Sequence, residues 1–355
     1  MRPKRNTVVF TNTLLLGGAE KQSVLLANGL SESYRVILLV YYGEKVDNRL
    51  LNAVSSNVEI IRLAGPHISK IRHYLSVIKN NNIKCIFSSL ATSNVLSGIT
   101  KILYPEIKVF GSIRSCDRPY IKSKVELFLH KYIHDHTVFN NYTGYEHFIR
   151  SGYNTTKSTF IPNCIDNTPK FNKRTNGRLV KIISLSRFIP DKDIYTSLKA
   201  IKLLQFNFNN LYFNFTLAGY GPEEFAIREY ISKHKLADVV NIDINPDVSN
   251  IYKESDIYLL TSKREGTSNT ILEAMAHGLP IVATDAGDNA RLVRHNENGY
   301  IAPVGDHEEI AGYLYDLITD HEKRIQFGKE GHKRVSAEYS MDKFIERYKK
   351  LIEQY

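Results

Sequence analysis

Short β-rich runs alternate with helical patterns along this chain, and the series runs twice. In the first half the candidate strands are Thr7–Thr11, Val36–Tyr41, Val58–Leu63, Lys84–Ser88, Val109–Ile113 and Thr137–Asn140. Between the first two, Ala19, Leu25, Leu26, Ala27 and Leu30 make a helical stripe. A second series follows "FIPNCIDN", with strands Lys181–Leu185, Asn214–Ala218, Val239–Ile242, Ile257–Thr261, Ile281–Thr284 and Gly299–Ile301. Helical patterns at Asp193–Leu204, Pro222–His234 and Asn269–His277 separate them. Such alternation predicts parallel sheets with helices on both faces. Two series predict two doubly wound, Rossmann-like domains, over 1–165 and 166–338. The polar, Pro-containing segment Asn167–Asn176 reads as a linker.

In open sheets of this kind ligands bind beyond the carboxyl ends of the strands, so two facing sheets would make a cleft. Four strand-to-helix turns carry candidate chemistry. The first, Thr11–Glu20, holds Gly17 and Gly18, which allow positive φ and close backbone approach ahead of a helix start that favours anions. The second, after Lys181–Leu185, offers Arg187 as a planar fork and Lys192 as a point charge, a pair suited to a diphosphate. Asp191-Lys192-Asp193 also spells a DxD triplet that could recruit a metal. Asp193, however, stands where a helix N-cap belongs, and the capping role is preferred. The third, Leu217–Pro222, uses Gly219 and Gly221 to turn sharply, with Pro222 at a first helical position.

The fourth turn is "REGTSNTILEAMAHGLP", residues 264–280. Glu265 stands just past a strand. Gly266, Thr267 and Ser268 form a tight loop, and Asn269 and Thr270 open a helix whose amides suit an anion or hydroxyls. Glu273 lies just over one turn further on. A carboxylate accepts two vicinal hydroxyls well, which suits a ribose. One acid for a sugar, a helix start for a phosphate and a second acid for a ribose fit a sugar nucleotide.

The charge is uneven. Residues 1–164 hold 21 Lys and Arg against 10 Asp and Glu, and the rest 26 against 27, so the net +10 resides in the first half. A basic half suits a nucleic acid, an anionic membrane or an anionic substrate. No nucleic-acid-binding module accompanies the charge, which sets nucleic acid aside. "HISKIRHYLSVIKNNNIK" (67–84) and "RPYIKSKVELFLHKYIHDH" (118–136) mix cations with apolar residues, as a peripheral contact with an anionic membrane would need. No apolar run has bilayer-spanning length. The basic start followed by apolar residues resembles a secretory signal, but Thr11-Asn12-Thr13 interrupts it and a first strand explains it better. Cys85, Cys116 and Cys164 are too few and too far apart for a disulfide or zinc framework, and are expected to be packing residues in a reducing compartment.

Taken together these motifs resemble glycosyltransferase family 4, on the GT-B fold, over essentially the whole chain. The E-x7-E run Glu265–Glu273 with "EAMAHGLPIVATDAG" carries most of the resemblance. It is joined in order by "GGAEK" (17–21), "IPNCID" (161–166), "LSRFIPDKD" (185–193) and "LAGYGPEE" (217–224). The resemblance implies a retaining enzyme that uses a nucleoside-diphosphate sugar, with a UDP-sugar favoured and GDP-mannose second, and with no metal or other cofactor. The first domain would bind the acceptor, a glycan or lipid-linked saccharide, and the second the donor. Arg187 and Lys192 would neutralise the diphosphate, Glu265 would hold the hexose with the amides of Gly266 to Thr270, and Glu273 the ribose. Gly17 and Gly18 would close over the diphosphate, Gly219 would line the nucleotide site, and Glu20 would stand on the acceptor side. A C-terminal helix, Met341–Tyr355, would cross back to the first domain. Polysaccharide, capsule or O-antigen assembly at the cytoplasmic face of the membrane follows from the same likeness.

Two departures qualify it. Many relatives carry a histidine just after the strand equivalent to Val109–Ile113, where this chain has Arg114, which cannot act as a base near neutral pH. Its expected role is anion binding or acceptor orientation. Near Ile242 a glycine of some relatives is replaced by Asn245-Pro246, which bears on base recognition. A sugar-nucleotide epimerase or phosphorylase on the same fold, or a non-catalytic nucleotide-sugar-binding subunit, are the competing readings.

Overall fold

The computed structural model describes residues 6–114, 120–171, 177, 179–208, 210–244 and 246–355. The expected packing residue Cys116, most of the linker and the site residue Asn245 lie outside them. The chain divides into two compact units, 1–166 with 341–355, and 167–340.

Unit 1 is built on a seven-stranded parallel sheet: β1 (Asn6–Thr11), β2 (Arg35–Val40), β3 (Val58–Arg62), β4 (Cys85–Ser89), β5 (Lys108–Ile113), β6 (His136–Phe139) and β7 (Ser158–Phe160), in the order β3-β2-β1-β4-β5-β6-β7. β1 lies between β2 and β4, with Val8 opposite Ile37 on one side and Ile86 on the other. Residues such as "VILLV" are apolar at every position because both faces are covered. Alternate side chains then divide between two cores. Val9, Val36, Leu38 and Phe87 pack with the helix Gly18–Ser31, while Val8, Ile37, Leu39 and Ile86 pack with Tyr74, Val77 and Leu96. β7 escapes the sequence pattern because three residues cannot show a period, and only its pairing with β6 defines it.

The helix Met341–Glu353 belongs to unit 1. Phe344, Ile345, Tyr348, Leu351 and Ile352, spaced for one helical face, are buried in the core that holds the helix Gly18–Ser31. Gly29 permits that contact, since a Cβ there would stand 2.3 Å from Ile345 Cγ1.

Unit 2 has six parallel strands: β8 (Val180–Leu185), β9 (Phe213–Ala218), β10 (Val240–Asp243), β11 (Ile257–Leu260), β12 (Ile281–Thr284) and β13 (Gly299–Ala302), in the order β10-β9-β8-β11-β12-β13. Ile182 of β8 pairs with Phe215 of β9 and Ile257 of β11. The helices Ile194–Asn207 and His307–Thr319 cover one face through Leu198, Ile201, Leu314 and Leu317. Cys85 and Cys164 are buried and outside any disulfide. No described helix is long and apolar enough to cross a membrane.

Three histidines of unit 1, His130, His134 and His136, are buried, and burial pushes each down to about 4. Burial holds them neutral, and they keep hydrogen-bond contacts inside the fold: His134 Nε2 lies 3.1 Å from the Asn94 carbonyl and His136 Nε2 2.6 Å from Thr159 Oγ1. A histidine whose folded value is depressed stabilises the fold above the unfolded value of about 6.5, and that contribution is lost as pH falls through the folded value. Denaturant unfolding should therefore show unit 1 weakening between pH 7 and pH 5, by about 2 kcal/mol from His134 alone. A pH-independent midpoint over that interval would contradict it.

Candidate active site

The order of the unit 2 sheet reverses between β8 and β11, and in a doubly wound sheet the crevice for a ligand opens where the order reverses. The segments leaving those two strands carry the candidate residues. After β8 the chain passes through Arg187 and a short 3-10 turn, Pro190–Lys192. After β11 it passes through Ser262 and Glu265 to the helix Asn269–Ala276. Several bonds join the two segments. The Lys263 amide donates to the Asp191 carbonyl (2.8 Å), Thr261 Oγ1 donates to the Asp193 carbonyl (2.9 Å), and Lys263 Nζ pairs with Asp193 Oδ1 (3.4 Å).

At this junction Lys192 Nζ stands 2.5 Å from Glu265 Oε1, with both side chains mostly buried. Ser262 Oγ donates to the same oxygen at 2.7 Å. An ammonium has three donors, so the pair leaves Lys192 with two for another acceptor. Arg187 is exposed and forms no ion pair among the described residues. Asp193 occupies the N-cap position of the helix Ile194–Asn207 but not the expected capping geometry. Its backbone is left-handed (φ 44°), its carboxylate accepts from Thr196 Oγ1 at 2.8 Å, and no side-chain cap bond forms. Together with the Lys263 contact, this commits Asp193 to holding the loop.

Gly219 and Gly221 support the Arg187 segment from β9. Gly219 has φ +139°, and a Cβ there would lie 1.9 Å from the Ser186 carbonyl oxygen; one on Gly221 would lie 2.4 Å from that of Phe188. Only glycines admit this approach. The following helix starts at Glu224 rather than at Pro222, because Glu223 occupies the N-cap.

In the Glu265 loop, Thr267 and Ser268 turn inward. Thr267 Oγ1 donates to Asp288 Oδ2 (3.2 Å), and Ser268 caps the helix by accepting from the Ile271 amide (3.4 Å). Both are buried, whereas Gly266, Asn269 and Thr270 are partly exposed. Glu273 Oε2 lies 3.2 Å from the hydroxyl of buried Tyr252, whose ring stacks on His277 at 5.2 Å. Burial and the Glu273 charge raise the Tyr252 phenol far above its ordinary value, so it is a donor to that carboxylate. Tyr258 is raised by burial, and the charges of both Glu265 and Glu273 act on it.

Unit 1 holds a second group, around the reversal between β1 and β4. Gly17 is the N-cap of the helix Gly18–Ser31 and is extended (φ −141°), and Gly18 also lacks a positive φ. A Cβ on Gly17 would lie 2.3 Å from Glu20 Oε2, the movable tip of that side chain, whose partner oxygen accepts from Thr13 Oγ1 at 2.7 Å. Leu90, at the end of β4, holds φ +79°, a conformation costing a non-glycine about 1–3 kcal/mol. Arg114 leaves β5 half-buried. Its Nη1 donates to Asn163 Oδ1 at 3.4 Å, its Nε is buried without a partner, and burial lowers its guanidinium below the ordinary value.

Sequence reasoning missed Ser262, Tyr252 and Gly287. Gly287 was visible inside "VATDAG", but its role is spatial: it has φ +57°, and a Cβ would lie 2.2 Å from the Glu265 carbonyl oxygen. Among the described residues no group of three or more His, Cys, Asp or Glu is placed to hold a metal ion.

Residues 166–334 match the family model described as Glycosyl transferases group 1. An uncharacterized glycosyltransferase of Haemophilus influenzae is 35% identical over 141 residues, which cover 39% of this chain and 40% of that protein. The amylovoran biosynthesis glycosyltransferase AmsK of Erwinia amylovora is 27% identical over 183 residues, 48% of this chain and 44% of that one. The chain thus spans less than half the length of these curated relatives. Anabaena HepE, solved in complex with UDP-glucose, superposes with a TM-score of 0.83 at 16% identity over 98% of this chain and 100% of that chain, a likeness of fold.

Gly287→Ala should destabilise the protein by at least about 2 kcal/mol, because a left-handed backbone and a backbone clash are both imposed. An unchanged urea midpoint would show that the Glu265 loop does not rest on Gly287.

Proposed function

We propose that this chain, whose fold is GT-B and whose residues 166–334 match the model of glycosyl transferases group 1, is a retaining glycosyltransferase. It transfers a hexose or N-acetylhexosamine from a nucleoside-diphosphate sugar to a glycan or lipid-linked acceptor in polysaccharide assembly. The observation that carries the reading is the Lys192–Glu265 pair at the point where the unit 2 sheet reverses. A UDP-sugar is the first donor to test, since the fold neighbour was solved with UDP-glucose, and GDP-mannose the second. The kinship with a biosynthetic glycosyltransferase of an exopolysaccharide, amylovoran, supports the setting.

In this reading Lys192 and Arg187 stabilise charge on the departing nucleoside diphosphate. Lys192 does so with the donors that Glu265 leaves over, and exposed Arg187 adds a fork suited to phosphate. Glu265 accepts hydrogen bonds from hexose hydroxyls while holding Lys192 in place. Glu273, oriented by Tyr252, binds the ribose hydroxyls, and the partly exposed backbone at Gly266, Asn269 and Thr270 meets the sugar or phosphate. Buried Thr267 and Ser268 shape that loop, and Gly219 shapes the segment carrying Arg187. Asn245 is assigned to the nucleotide, and Gly17 and Gly18 to the diphosphate. Glu20 and Arg114 fall to the acceptor, where Arg114 can hold an anion but cannot take a proton.

During transfer the bond from the anomeric carbon to the diphosphate oxygen breaks and a bond to the acceptor oxygen forms on the same face. The acceptor proton passes to the released phosphate oxygen, so no enzyme nucleophile is required. Charge stabilisation by side chains replaces a metal.

Lys192→Ala should lower kcat about a hundredfold to a thousandfold with any accepted donor, as loss of one preorganised stabiliser of developing charge does. Turnover within a few-fold of wild type in the presence of chelator would refute its role. Glu273→Ala should weaken UDP and UDP-sugar alike by at least about tenfold, the loss of charge-assisted hydrogen bonds to the nucleoside. If free UDP binds normally and only the sugar donor suffers, the two glutamates exchange roles. Thermal-shift screening against UDP, GDP and ADP identifies the base. Formation of an isomeric nucleotide sugar without transfer would replace the reading by an epimerase.

A further inference from the structure

Two neighbouring helices of unit 1, Ala91–Leu103 and Tyr120–Tyr132, turn apolar stripes to solvent. The first exposes Val95, Ile99 and Ile102; the second exposes Ile121, Val125, Phe128 and Tyr132. Each set recurs at intervals of three and four residues, so each marks a single face of its helix. The two helices touch at Gly98, where a Cβ would lie 2.7 Å from Leu129 Cδ2, so the stripes belong to one surface. Ile121 is 75% exposed, Tyr132 74%, Ile102 64% and Phe128 54%. Side chains of this size so far out of the protein leave a contiguous apolar patch that a water-facing surface does not need.

The exposed charge of the helix Tyr120–Tyr132 has one sign. Lys122, Lys124 and Lys131 are exposed and form no ion pair among the described residues, and Lys124 stands over the Tyr120 ring at 5.2 Å. Glu126, the lone carboxylate of the helix Tyr120–Tyr132, is buried. We infer that this two-helix face docks on an anionic lipid bilayer. Aliphatic and aromatic side chains enter the interfacial layer while the lysine stems lie along it with their ammonium groups on lipid phosphates. The lysines argue against a protein partner, because cores of protein interfaces are depleted in lysine. A second copy of the chain would set the same lysines against each other.

The structure moves this surface relative to the sequence expectation. The segment 67–84, expected to share the role, does not present such a face. Lys70 is buried and paired with Glu44 at 3.2 Å, and Tyr74, Val77 and Ile78 are in the core, leaving Ile68 as its one exposed large apolar residue. The helix Ala91–Leu103, whose sequence carries a single basic residue, takes its place.

Flotation with phosphatidylcholine vesicles, with and without phosphatidylglycerol, tests the inference without any substrate, so its failure leaves the transferase reading standing. Wild type should float with the anionic vesicles and stay behind with the neutral ones. Ile121→Gln with Phe128→Gln should weaken binding at least about tenfold, the loss of two inserted side chains. Lys122→Glu with Lys124→Glu should do the same while the melting temperature is kept, and Ile68→Gln should bind as wild type. Equal recovery with both vesicle types, no recovery with either, or undiminished binding of either double variant would overturn it. So would concentration-dependent self-association that Phe128→Gln abolishes, which would give the face to a second copy.

Discussion

Parallel strands impose the constraint from which the rest of this structure follows. A parallel pair needs a crossover helix, so every strand of a unit ends at the same edge, and the loops that leave those ends are gathered there however far apart they lie in the chain. In unit 2 the order reverses between β8 and β11, and there the flanking helices leave on opposite faces and open a gap. Lys192 and Glu265, 73 residues apart, meet at that gap because they follow the two strands that border it.

The pair is held by the fold itself, as the proposed reaction would need. Backbone and side-chain bonds fix the turn carrying Lys192 to the loop carrying Glu265, Ser262 shares the Glu265 oxygen, and Gly287 supports that loop from the next strand. Preorganised charge in a site mostly shielded from water is a larger catalytic resource than the same charge in solution, because little of it has to be reoriented during reaction. Asp193 serves the same end. Its left-handed backbone and its bond to Lys263 make it part of the brace, which accounts for an acidic residue beside Lys192 without invoking a metal.

In unit 1 the excess positive charge of the first half has more than one destination. Lys70 and Lys101 are consumed internally by Glu44 and Asp135, and Arg114 is drawn in beside Asn163. The lysines of the helix Tyr120–Tyr132 stay outside with an apolar stripe between them. A net charge read along the chain cannot separate these fates, because it does not know which cations have partners.

The sequence by itself determined the two parallel sheets, since apolar runs buried on both faces and alternating with helical stripes admit little else. It also determined the identity of the chemical groups after β8 and β11, because a strand end followed by a helix start is a local feature. The helix Met341–Glu353 was expected from the family likeness, not from a pattern read in the residues. Only the tertiary structure decided which of those groups touch. The Lys192–Glu265 contact, the Tyr252 bond to Glu273, the Gly287 approach and the joined stripes of two helices all depend on strand order and on helix packing. Strand order is set by the burial of whole faces against one another, a property of the complete chain that no local pattern carries.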